Sequence, residues 1–378
     1  MNLRITAAAL TTLCAMAPAI AQDVRQVQTP SGMVQVETFA SGLNHPWGMA
    51  MLPDGGLLVT ERPGRLRVVT KEGKLLDAVK GTPRVFASGQ GGLLDVALAP
   101  SFAQDRLVYL TFAEPGSNGT AGAALARGRL SQDMTALEDV RVIFRQEPKV
   151  SGGQHFGSRI AFGRDGAIFM TMGDRGKFDP AQDLSVHIGK VIRIKPDGSA
   201  PQDNPFIGKP NVRPEIWSYG HRNVQGAAMH PETGVLWTHE MGPRHGDEVN
   251  VTEAGKNYGW PRVSWGDHYD GRSIPDPPTQ PNLADAAHHW KKSIAPSGMA
   301  FYTGDLFPGW RNSVLIGGLV AQAIVRVSFD GVKFTGEERI PLGARIRAVE
   351  VGQDGAIYAA TDDENGRVLR LKPAGGTQ

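Results

Sequence analysis

Five short stretches carry side chains that could do chemistry. In "SGGQHFGSR" (151–159), His155 stands among glycines just ahead of a strand-like run, "IAFGRDGAIFMTMGD". Glycines allow a tight loop with no bulk near the backbone. An ordinary histidine titrates at about 6.5, in the range a general base needs; the same residue could equally serve a local loop role. "SGQGGLLDVALAP" (88–100) repeats the arrangement with Gln90, an amide able to bind a ligand, or a plain tight turn. "IWSYGHRNVQGAAMHP" (216–231) puts Arg222 and Asn223 in another glycine-bounded loop. A guanidinium there is a planar fork for carboxylates, or simply a surface cation.

The densest stretch is "HEMGPRHGDEVNVTEAGKNYGWP" (239–261). It offers Glu240, Asp247 and Glu248, the carbonyls of Gly242 and Pro243, and then Asn257 and Tyr258 in a glycine-flanked turn. Oxygen-rich and free of cysteine, it favours a hard cation such as calcium over a charged solvated loop. The spacing is wrong for a His-Glu-x-x-His zinc site. Finally, "GARIRAVEV" (343–351) places Arg345 and Arg347 on one strand face. Two neighbouring guanidinium groups repel unless an anion sits between them. The set fits a small polyanionic ligand with a base beside it.

Such groups are far apart in sequence, so the fold must gather them. A turn-plus-strand unit recurs from residues 51, 98, 162, 229, 306 and 351, each a Pro/Asp/Gly/Asn turn followed by a short apolar strand. Paired runs such as "GLLVTE…GRLRVV" and "AIYAATD…GRVLRL" read as antiparallel hairpins. With 47 glycines and 26 prolines spread evenly and no long helical period, the chain predicts an all-β, six-bladed β-propeller. Two β-sandwiches are the weaker alternative, because the unit repeats to the end without a linker. The wide spacings predict long inter-blade loops, notably between 257 and 296, with the Pro-rich "DPPTQP" (276–281) in one of them.

Residues 1–21 read as a secretory signal peptide: a small positive start, a short apolar run and small residues at Ala19 and Ala21. That run is too short for a membrane span. The sole cysteine, Cys14, lies within it, so residues 22–378 form one propeller domain without disulfides, in a periplasmic compartment if the host has two membranes. A net charge of +2 gives no nucleic-acid signal. No G-x-G-x-x-G or G-x-S-x-G motif is present, which argues against a nicotinamide enzyme and a serine hydrolase. Any redox role needs a bound cofactor.

At these residues the chain resembles a family. "GLNHPWGMAMLPDGGLLVTERPGRL", "GQGGLLDVALAP", "GGQHFGSRIAFGRDG", "SYGHRNVQG" and "GDEVNVTEAGKNYGWP" are similar to the soluble, calcium-dependent quinoprotein sugar dehydrogenases that use pyrroloquinoline quinone (PQQ), a tricarboxylate ortho-quinone, and above all to their aldose sugar dehydrogenase branch. The resemblance implies His155 as catalytic base. It implies Gln90, Arg222, Asn223, Tyr269, Arg345 and Arg347 as PQQ contacts. Gly242 and Pro243 would hold the calcium that bridges protein and PQQ, Glu248 and Tyr258 a second calcium, and Gln154 and Trp290 would face the sugar. Where relatives carry a lysine near the cofactor, this chain has Val320 or Ala321. The implied activity is oxidation of an aldose to its lactone, with an external electron acceptor, quinone or cytochrome, as the second partner. A calcium-dependent propeller lactonase and a non-catalytic exported binding propeller are the rival classes, since a fold alone does not choose among them.

Overall fold

The computed structural model describes residues 24–277 and 282–375. The secretory segment expected at 1–21, with Cys14, and residues 278–281 of the Pro-rich loop lie outside them. Six antiparallel sheets form a closed ring, each a blade with its first strand facing a central channel. Blade 1 runs through Pro46–Met51, Leu57–Glu61, Arg65–Val69 and Leu75–Val79. Blade 2 comprises Leu93–Leu98, Leu107–Pro115, Ala121–Leu130 and Leu137–Arg145, and blade 3 Ile160–Phe162, Ile168–Thr171, Lys190–Ile194 and Ile216–Tyr219. Blade 4 comprises Val224–Met229, Leu236–Glu240, Asp247–Val251 and His288–Trp290, and blade 5 Pro296–Phe301, Val314–Gly318, Ala323–Asp330 and Lys333–Pro341. Blade 6 takes Ile346–Val351, Ile357–Thr361 and Gly366–Pro373 from the end of the chain. It is completed by Gly32–Leu43 and Val24–Thr29 from the beginning.

Second strands lie between neighbouring blades and are buried on both faces, as in Leu57–Glu61, Val314–Gly318 and Ile357–Thr361. A strand covered on both sides reads as a continuous apolar run, which is why the sequence repeat picks out these strands and the turns before them. Outer strands alternate with solvent, as Lys333–Pro341 does. The two hairpins expected from sequence are present: Leu57 pairs with Val69, and Ile357 with Leu371. The core is a series of inter-blade seams. Leu66, Leu93, Leu110 and Phe112 join blades 1 and 2; Trp237, Ile316 and Val325 join blades 4 and 5; Ile324, Ile346 and Ile357 join blades 5 and 6. One expectation is corrected. The long segment after 257 is not inter-blade: it lies mostly within blade 4, between Asp247–Val251 and His288–Trp290, because the outermost strand of that blade is supplied late. Among the described residues no helix is long and apolar enough to cross a membrane.

Arg159 divides the channel. Its guanidinium donates to Asp95 at 3.0 Å and to the carbonyls of Gln225 at 2.8 Å and Arg347 at 2.9 Å, and it lies 4.0 Å from the Trp47 ring centroid. One side chain thus ties together blades 1, 2, 4 and 6 from its own place at the edge of blade 3. On one side of it is a cavity of about 270 Å³ bordered by Met49, Met51, Asp95, Met299 and Glu350. On the other side is a cavity of about 260 Å³.

Candidate active site

The second cavity draws residues from all six blades. Trp47 and Arg62 come from blade 1, Gln90 from the loop into blade 2, Phe156 and Gly157 from the loop into blade 3. Asn223, Gln225 and Met241 belong to blade 4, Leu319 and Val320 to blade 5, and Arg345, Arg347 and Asp362 to blade 6. Its size is near the lower end for small-molecule pockets.

His155 is partly buried and directly precedes Phe156 and Gly157 of the cavity wall. The backbone N–H of His155 donates to Gln90 Oε1 at 2.8 Å, and the Gln90 N–H donates to the Gly153 carbonyl at 2.6 Å. Two loops from different blades are thus clipped together. This contact needs Gly89: it adopts φ +61°, and a Cβ there would strike the Gly153 carbonyl. His155 itself has φ +52°, a left-handed conformation that costs a non-glycine residue energy and is found where surrounding structure enforces it. Its Nδ1 meets Asp174 Oδ1 at 2.7 Å. Asp174 Oδ1 also accepts from the Gly176 N–H, and its Oδ2 from the Trp260 indole N–H, both at 2.7 Å. Burial would push the Asp174 carboxyl up; its hydrogen bond and charge interaction with His155, the Gly176 N–H and Arg222 prevail and hold it below its ordinary value. Asp174 is therefore ionised at neutral pH. With Nδ1 directed at that carboxylate, Nε2 is the nitrogen left to accept a proton.

The arginine pair behaves differently from its sequence reading. Arg347 is buried, Arg345 half-exposed, and the anion between them belongs to the protein: Asp362 Oδ2 lies 2.7 Å from Arg347 Nη2 and 3.6 Å from Arg345 Nη2. Burial alone would raise Asp362, but Arg347, His45 and Arg345 bring it down to about 2. Arg347 also donates to Gln225 Oε1 at 3.3 Å, and Gln225 donates to Asn223 Oδ1 at 3.2 Å. Among the described residues the buried Nε of Arg347 has no partner. Two guanidinium groups share one carboxylate, and a buried donor is left open beside a cavity. Such a wall fits an anionic, carboxylate-bearing cofactor.

Arg222 is buried and Tyr269 exposed, and neither lines the cavity. Arg222 Nη1 donates to the carbonyls of Met241 at 2.9 Å and Gly242 at 2.5 Å, and its guanidinium is 5.4 Å from the Trp260 ring and 5.8 Å from the ring of the exposed Tyr269. Gln154 is exposed next to His155, its side-chain amide lying over Gly176 and its carbonyl accepting from Arg175 at 2.8 Å. Trp290 is not brought to the cavity. It is buried in the seam between blades 4 and 5, and its indole N–H donates to Glu337 at 2.6 Å.

Among the described residues no group of three or more His, Cys, Asp or Glu is placed to hold a metal, so a calcium here would draw largely on carbonyl and amide oxygens, with one or two carboxylates at most. The Gly242 carbonyl shares one of its two lone pairs with Arg222 and keeps the other. Asp247 does not take part: its Oδ2 accepts from Ser293 Oγ and from the N–H groups of Ile294 and Ala295, and its Oδ1 from the N–H of Gly242. It shapes the Gly242–Pro243 turn instead. Around Glu248 the chemistry suits a cation. Burial and repulsion from Glu240 push its carboxyl well up, and Asn250 Oδ1 is buried without a partner. The Tyr258 hydroxyl donates to Val251 at 2.5 Å and accepts from the Glu253 N–H at 3.0 Å. With its hydroxyl engaged twice, Tyr258 has its carbonyl as the freer oxygen to offer a metal.

Comparison with known proteins finds relatives along most of the chain. The family model for "Glucose / Sorbosone dehydrogenase" covers residues 43–370. The chain belongs to this sugar dehydrogenase family. It is 46% identical to the aldose sugar dehydrogenase YliI of Escherichia coli over 90% of this chain and 93% of that one. It is 27% identical to quinoprotein glucose dehydrogenase B of Acinetobacter calcoaceticus over 97% and 93%. The PQQ-bound aldose sugar dehydrogenase of Streptomyces coelicolor superposes with a TM-score of 0.75 at 29% identity, covering 94% of this chain and 99% of that one. The resemblance drawn from the motifs, and the six-bladed fold it carried, therefore stand. Sequence reading of this dehydrogenase missed Asp174, Trp260, Asp362, Gln225, Trp47, Arg62 and Arg159. The only local hint was an acid directly after the apolar run "IFMTMG", where a strand ends at the channel mouth.

Proposed function

We propose that the chain oxidises aldose sugars at the anomeric carbon to lactones, using PQQ and calcium, and passes the electrons to an external quinone or cytochrome acceptor. PQQ, when bound beside calcium as Lewis acid, supplies the hydride-accepting quinone. Arg345, Arg347, Gln90 and Asn223 would hold it; the open Nε of Arg347 supports that assignment. The carbonyls of Gly242 and Pro243 would hold one calcium, and Glu248 with the Tyr258 carbonyl a second. His155 Nε2 takes the proton from the anomeric hydroxyl, and Asp174 stabilises the imidazolium that results. Gln154 would face the sugar and Tyr269 the cofactor; both side chains are exposed. Export to the periplasm through cleavage after residue 21 belongs to the same reading.

The observation that carries it is the pairing of a carboxylate-held histidine with a cationic cavity built from all six blades. The test is dye-linked oxidation of D-glucose by purified apo-protein with calcium, with and without PQQ. Turnover that requires PQQ is expected. Hydrolysis of lactones by a protein that neither binds PQQ nor oxidises sugars would replace this reading with the lactonase.

A further inference from the structure

Arg62 lines the cofactor cavity but has had no role assigned to it. It follows the second strand of blade 1, and its backbone is fixed from both sides: its N–H donates to the His45 carbonyl, and its carbonyl accepts from the Leu93 N–H, both at 3.0 Å. The side chain is half-buried, and among the described residues its guanidinium makes one hydrogen bond, from Nη1 to the Gly89 carbonyl at 3.1 Å. A guanidinium has five N–H donors in a fixed fork, so four remain open. No carboxylate among the described residues is paired with it, whereas Asp362 is already engaged by Arg345 and Arg347.

The cavity lining therefore has an uneven charge. Blade 5 contributes Ala295, Leu319 and Val320, all apolar. Blade 6 contributes two arginines against one aspartate, and blade 1, its neighbour around the closed ring, adds Arg62. We infer that Arg62 is a third anion-binding arginine of this cavity. It sets the bound cofactor with carboxylates toward blades 6 and 1, away from the neutral wall around Val320. The inference rests on the reading of the cavity as a PQQ site. It explains how a chain with Val320 and Ala321 in blade 5 still presents three cations to a tricarboxylate.

Titration of PQQ into apo-protein in the presence of calcium, followed by quenching of tryptophan fluorescence, tests it without any turnover. Arg62→Ala is expected to weaken PQQ binding at least tenfold and to make it less sensitive to salt, since one of the screened contacts is gone. Arg62→Gln keeps most of the stem and loses the charge; it should bind as weakly as the alanine variant, while Arg62→Lys recovers part of the loss. Circular dichroism and the thermal midpoint check that each variant folds. If Arg62→Gln, folded, binds PQQ as tightly as the unsubstituted protein, the assignment of Arg62 is wrong and the cofactor reading survives. If the unsubstituted protein does not bind PQQ at all, the cofactor reading itself fails and takes this inference with it.

Discussion

Asp174→Asn is the substitution that asks most of the proposed chemistry. It changes one atom and one charge. Asp174 Oδ1 serves His155 and the Gly176 N–H, while Oδ2 serves the Trp260 indole N–H. An asparagine cannot satisfy all three. With its oxygen toward His155 and Gly176, its NH₂ faces the indole N–H, donor against donor. Turned the other way, the NH₂ faces both the Gly176 N–H and Nδ1, which forces Nδ1 to accept and puts the imidazole proton on Nε2, where a base is needed. Hydrogen bonds to a charged group contribute about 1.5–3 kcal/mol, and about 2.7 kcal/mol is a hundredfold in rate. A wrong tautomer adds to this, so kcat should fall about 10²- to 10⁴-fold. Asp174 does not line the cavity, so PQQ affinity should stay within a factor of about two of the unsubstituted value (RT ln 2 is well under 1 kcal/mol). Dye-linked kinetics on the PQQ-saturated enzyme and a PQQ titration separate the two quantities. A variant with kcat within about threefold of the original, under 1 kcal/mol, would refute the positioning role and with it the case for His155 as base.

Two further outcomes concern stability. Glu350 borders the cavity beyond Arg159, and burial and repulsion from Asp95 outweigh Arg159 and raise its carboxyl to about 8 from 4.5. The folded protein then binds a proton that the unfolded chain releases, so stability falls as pH rises between about 4.5 and 8. Discounted for its partial exposure, the fall is about 1–3 kcal/mol; Glu350→Gln should flatten urea-unfolding stability across that window, and an unchanged slope would count against it. Asp247→Ala leaves the Ile294 and Gly242 N–H groups without acceptors. It should cost about 2–5 kcal/mol in chemical denaturation and loosen calcium-dependent PQQ binding through the Gly242–Pro243 turn; a loss under about 0.5 kcal/mol, the level of an ordinary surface change, would show that Asp247 is dispensable.

The fold was readable because each blade's second strand is apolar on both faces and follows a turn rich in Gly, Pro, Asp or Asn, so that six such strands stand out in the sequence. The chain-terminal pairing of Gly32–Leu43 with Gly366–Pro373 was not, since a strand's partner some 330 residues away leaves no local pattern. The same limit governs the site. His155, Gln90 and Arg347 announced themselves through glycine-marked loops or strand alternation. Their partners did not: Asp174 lies 19 residues from His155, and Trp260 lies 86 from Asp174. Trp290 shows the converse case, an aromatic near a functional loop that packs in a seam and hydrogen-bonds Glu337 there. Asp362 shows a third case. The repulsion within "RIR" correctly demanded an anion, and part of that demand is met from the protein's own next strand.

The closing of the ring also sets an order of assembly. Blades 1 to 5 can each form from a continuous piece of chain, but blade 6 needs both ends, with Val34 opposite Pro373 and Leu43 opposite Gly366. Contacts so distant in sequence are slow to find, so this sheet is expected to form last and to open first. Arg345, Arg347 and Asp362 all belong to it. The anion-binding wall therefore belongs to the sheet that closes the ring, and a ligand bound between it and the other blades favours the closed ring by mass action. Cofactor loading and completion of the fold are thereby linked, and a cofactor held between blade 6 and its neighbours acts as a clasp on the ring.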